Sequence, residues 1–110
     1  MMLVTLEEAK NYLRIDSGDE DALIGTLLDS AAELCVDVAR LTKEQWADID
    51  SAKSFSNLYP RDEMEHTRRL MRIGILYSLA YLYEHREEAD HHGLTLTLRA
   101  ILGSIREAVM

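Results

Sequence analysis

The run Ile73-Gly74-Ile75-Leu76-Tyr77-Ser78-Leu79-Ala80-Tyr81-Leu82-Tyr83 constrains this chain most, because only Gly74 and Ser78 in it fall outside the hydrophobic set. A helix that is apolar on nearly every side is buried centrally or lies in a membrane. The run rises only about 16 Å as a helix, short of the roughly 20 residues that a bilayer requires. It is therefore expected to be a core helix. The charged stretch Glu84-His85-Arg86-Glu87-Glu88 marks its return to water.

A chain of 110 residues suits one domain over residues 1–110, built on a single core. Its 47% hydrophobic and 29% charged residues are those of an ordinary soluble globular protein. One Pro and five Gly leave little room for turn-rich β architecture. Met1-Met2-Leu3-Val4 passes directly into Thr5-Leu6-Glu7-Glu8, without the basic and apolar regions of a signal peptide, and no signal peptide is expected. Cys35 is the only cysteine; it has no internal disulfide partner and suits a reducing cytosol.

The net charge of −8 resides in the N-terminal half: residues 1–50 carry 12 acids and 4 bases, residues 51–110 carry 8 of each. Such a surface repels phosphate backbones, which argues against adhesive binding to nucleic acid, and it keeps a chain soluble.

Helical spacing organises the rest. Thr5 with Glu8 forms a capping box that opens a helix through about Arg14, with Leu6, Ala9, Tyr12 and Leu13 as its apolar positions. Ile15-Asp16-Ser17-Gly18 breaks it. Asp19-Glu20-Asp21 then suit the positive end of a second helix, and they lack the ligand spacing and distal Glu of a calcium loop. That helix runs to about Arg40 on the stripe Leu23, Ile24, Leu27, Leu28, Ala31, Leu34, Cys35 and Val38, which makes Cys35 a small core residue. Thr42 and Gln45 cap a short helix near Lys43–Asp50 that exposes or half-buries Trp46. Residues 51–60 read as the long loop, with Phe55, Leu58 and Tyr59 available for contact.

The central helix is expected from about Asp62 to Glu88, with Glu65, Arg68, Arg69 and Arg72 forming a solvated charged face rather than a phosphate site. A final helix is expected from about Thr97, on Leu98, Ile101, Leu102, Ile105 and Val109, although Leu94-Thr95-Leu96-Thr97-Leu98 alternates like a strand. The expected fold class is all-α: a compact bundle of four to five helices, with the two long helices at about 20–40 and 62–88 forming the core.

Catalytic chemistry finds little support. Glu63 with His66 and Glu88 with His91 match the Glu-x-x-His spacing of bundle di-iron sites. The two pairs are separated by about 37 Å along a helix, too far to share a metal. His85, Asp90, His91 and His92 read as a polar helix end. Glu84, Glu87 and Glu88 supply one set of carboxylates for a magnesium pyrophosphohydrolase, but no second long helix supplies the other. There is no phosphate loop, no triad and no basic recognition helix. No catalytic, cofactor-binding or metal residues are assigned, and no cofactor is expected.

Two segments resemble the head–tail connector (adaptor) family of long-tailed bacteriophages. One is the opening, Leu3-Val4-Thr5-Leu6-Glu7-Glu8-Ala9-Lys10, then Tyr12-Leu13-Arg14-Ile15-Asp16, Asp19-Glu20-Asp21 and Leu23-Ile24. The other is the helix end Leu82-Tyr83-Glu84-His85-Arg86-Glu87, similar to that family's aromatic-Tyr-Glu-x-Arg-Glu ending. Residues 41–60 add little, and His91-His92-Gly93-Leu94 stands where the family often has a proline-containing turn.

The resemblance implies a non-enzymatic structural virion protein, made in the bacterial host cytoplasm and located at the head–tail junction of a phage or prophage. It implies self-assembly into a ring of about twelve copies below the portal protein. The ring would meet a tail-side stopper or completion protein, extend the channel through which DNA passes without specific binding, and involve no membrane. The alternative is a small acidic helical regulator, or antitoxin-like module, that binds one protein.

Overall fold

Residues 1, 3–51, 61–85, 87 and 92–109 are described by a computed structural model of the chain. Every regular element among them is helical: α1 (Leu6–Leu13), α2 (Asp21–Ala39), α3 (Lys43–Ser51), α4 (Arg61–Glu84) and α5 (His92–Val109). The expected all-α class holds, and α2 and α4 form the principal packed pair, with α5 against both. Phe55, Leu58 and Tyr59, from the stretch expected to be a loop, lie outside the described residues, as do Arg86, Glu88, Asp90 and His91.

Local chemistry sets the helix ends. Thr5 Oγ1 accepts from the Glu8 amide at 3.1 Å and opens α1. The Thr42–Gln45 box is reciprocal: Gln45 N donates to Thr42 Oγ1 at 3.1 Å, and Thr42 N donates to Gln45 Oε1 at 2.8 Å. Both α1 and α2 end on an arginine in the left-handed region, Arg14 at φ 60° and Arg40 at φ 57°. Behind each, Ile15 N bonds Lys10 O and Leu41 N bonds Val36 O, so the last carbonyls are satisfied by a Schellman pattern that more often employs glycine. Gly18, in the stretch expected to break α1, has no positive φ.

The core gathers Ile24, Leu28, Ala31, Cys35 and Val38 of α2, Met71, Ile75 and Leu79 of α4, and Leu94, Leu98, Leu102 and Ile105 of α5. Cys35 is buried there as expected. Gly74 lets α4 approach closely: a Cβ at this position would lie 3.3 Å from both Cys35 Sγ and Leu102 Cδ2. The buried Ser78 hydroxyl bonds back to Gly74 O at 2.8 Å, so its polarity is absorbed within α4.

Several expectations are corrected. α5 begins at His92, not Thr97; Leu94 and Leu98 are buried one turn apart while Leu96 is 50% exposed, the signature of a helix and not of a strand. α4 ends at Glu84, ahead of Glu88. The apolar run is not enclosed on all sides either: Ile73 and Tyr77 are exposed, because the described helices pack against the opposite side of α4. Leu23, Leu6 and Tyr12 are likewise exposed.

Candidate interaction surface

Arg68 and Arg72 of α4 turn back onto α3 and the N-terminal segment, while Arg69 is exposed, as the expected charged face has it. Arg72 Nη1 donates to Leu3 O at 3.0 Å and pairs with Glu8 Oε2 at 2.5 Å. Arg68 donates to the Ile49 carbonyl, while Leu3 N donates to Asp50 Oδ1 at 2.7 Å. Leu3 and Val4 are thus buried and pinned between α3 and α4. The guanidinium of Arg72, hydrogen-bonded to Glu8, holds that carboxyl below its ordinary value of 4.5.

The acids at the start of α2 do more than favour its dipole. Lys10 Nζ lies 2.8 Å from Asp21 Oδ1, tying α1 to α2. That oxygen is buried, and the ammonium is its electrostatic partner. Glu20 provides no side-chain cap; it accepts from the Tyr83 hydroxyl across 63 residues of sequence. Tyr83, from the helix end singled out above, therefore packs its ring on the core and sends its hydroxyl to a polar partner.

The candidates for chemistry do not converge. His85 stacks on Tyr81 with ring centroids 4.2 Å apart, and its Nδ1 lies 2.9 Å from Tyr81 O. His66 and His92 are exposed on different helices. Among the described residues, no three His, Cys, Asp or Glu side chains come together as a metal site. The Glu88–His91 pair lies outside those residues. Cys35 Sγ is 3.6 Å from Ser78 Oγ, and burial pushes its thiol up to about 11, the opposite of what a nucleophile needs.

A groove of about 580 Å³ lies between α2 and α3. Ala32, Val36, Leu41 and Trp46 supply its apolar surface; Asp29, Glu33 and Asp37 form one wall, with Lys43 and Asp50 at the far side. The three acids repeat every fourth residue, so they make one exposed row along α2. Sequence reading left Trp46 exposed or half-buried, and it is half-buried; the groove was not foreseen. The four-residue spacing of the acids was the local signal available, and only the fold brings α3 beside it. No helix among the described residues is long and apolar enough to cross a membrane.

Comparison with known proteins adds one finding. The family model described as phage gp6-like head-tail connector protein matches residues 3–100, most of the chain. No curated protein and no solved structure matches.

Proposed function

The chain belongs to the phage gp6-like head–tail connector family, and on that premise we propose that it assembles as a single-domain subunit into a ring below the portal. The ring extends the DNA channel and offers the surface onto which a tail-side completion protein docks. The family match over residues 3–100 carries this reading. Two physical observations support it. Ile73 and Tyr77 form an outward apolar pair on α4, the kind of surface that a subunit contact covers. The excess of carboxylate in residues 1–50 repels the duplex, as suits a wall past which DNA must move without sticking.

A phage lacking the gene tests the reading. Heads should assemble and begin to package, then lose DNA or fail to join tails, with free tails accumulating beside them. Without this protein the portal lacks the interface that tail components bury. Normal tailed, DNA-filled particles in electron micrographs would exclude the connector role, and a lysate without heads would place the function earlier.

A further inference from the structure

The α2–α3 groove pairs an apolar floor with a carboxylate wall, and we infer that it holds a cationic amphipathic helix from a different protein. Val36, Leu41 and the half-buried Trp46 offer surface that water leaves readily, and Trp is the residue type most often found at energetic centres of interfaces. Asp29, Glu33 and Asp37 stand about 6 Å apart along α2. A helix laid beside α2 with Lys or Arg at every fourth position, next to a row of Leu or Met, matches both features. The groove's volume, about 580 Å³, falls within the range of clefts that hold ligand side chains.

Charge selects the occupant. A second copy of this chain offers no matching row: among the described residues, no helix carries bases at three successive fourth positions. Its central arginines are also committed, Arg68 to the Ile49 carbonyl and Arg72 to Leu3 and Glu8. Nucleic acid is repelled by the same carboxylates. The inference rests on the connector reading only for the source of the helix, a neighbouring virion protein, and not for its chemistry.

Trp46 is the only tryptophan, so its fluorescence reports on the groove directly. The probe is a synthetic tryptophan-free Leu/Lys peptide of about fourteen residues, near the length at which isolated helices begin to hold. Its control is the same peptide with Glu for Lys. The Lys peptide should shift Trp46 emission to the blue, with an affinity that falls as salt is raised. The triple variant Asp29→Asn, Glu33→Gln, Asp37→Asn should bind roughly tenfold more weakly, as expected for losing three exposed ion pairs. Equal binding of both peptides, undiminished binding by the triple variant or an unmoved emission would overturn the proposal. So would a blue shift on concentrating the protein alone, which would assign the groove to a second copy. None of these failures alters the outcome of the gene-deletion test, which reads the connector role separately.

Discussion

Where α2, α4 and α5 meet, the chain is held by apolar side chains fitted around Gly74; where Leu3 meets α3 and α4, it is held by hydrogen bonds and one ion pair. The first region draws on burial, which is non-directional and scales with the apolar area removed from water. The second draws on donors and acceptors whose net worth is small but whose loss strands a buried partner. The core therefore sets how stable the molecule is, and the polar ties set where its N-terminal segment sits. The two regions should fail differently.

The largest expected effect lies in the core. Leu28→Ala removes a buried side chain from α2 and should lower stability by about 3 kcal/mol in denaturant unfolding. A loss below about 1 kcal/mol would show that the core repacks freely and would erase the distinction.

Next comes Arg72→Met, which keeps the stem over the core but removes the guanidinium from Leu3 O and Glu8. It should cost about 1–2 kcal/mol. Amide exchange should quicken at Leu3 and in α1 well before it does in α4. Uniform acceleration along the chain would mean that the polar ties belong to the same cooperative unit as the core.

The smallest effect is that of pH on Glu8. Its folded carboxyl titrates below the unfolded value of 4.5, so its contribution is complete above that value and is lost as pH falls through the lower folded value. Both side chains of the Glu8–Arg72 pair are 40% exposed, so solvent and salt weaken the contribution. Acid titrations of wild type and Glu8→Gln should therefore differ slightly at low salt and converge at high salt. A difference that persisted in high salt would place this pair with the buried interactions.

The sequence made the core far more legible than the ties. Local signals marked both capping boxes, and the spacing of Ile24, Leu28, Ala31, Cys35 and Val38 displayed the inner face of α2. The start of α5 was obscured because Leu94 and Leu98 satisfy both a two-residue and a helical period; only the orientation of Leu96 separates them. The exposure of Ile73 and Tyr77 was hidden for another reason. Their hydrophobicity suggests burial, but the described helices pack on the other side of α4. The links from Leu3 to Asp50, from Arg72 to Leu3 and from Tyr83 to Glu20 join residues 47, 69 and 63 positions apart, and no local pattern encodes them. The groove was not foreseen. Its acid row can be read from spacing, but its apolar side requires α3 to fold back beside α2.

Cys35 has a consequence for the life of the particle. Its sulfur is closed in by Ser78 and by the face of Gly74, where even a methyl group would press against it. With its thiol pushed up to about 11, the reactive thiolate is on the order of one molecule in ten thousand at neutral pH. A virion travels through aerated surroundings with no reductant to repair it, where an accessible thiol would climb toward sulfenic and sulfinic acids or cross-link to a neighbour. Here oxidants must wait for the helices to part. The chemical endurance of this subunit is thus set by how small a fraction of molecules has its core open.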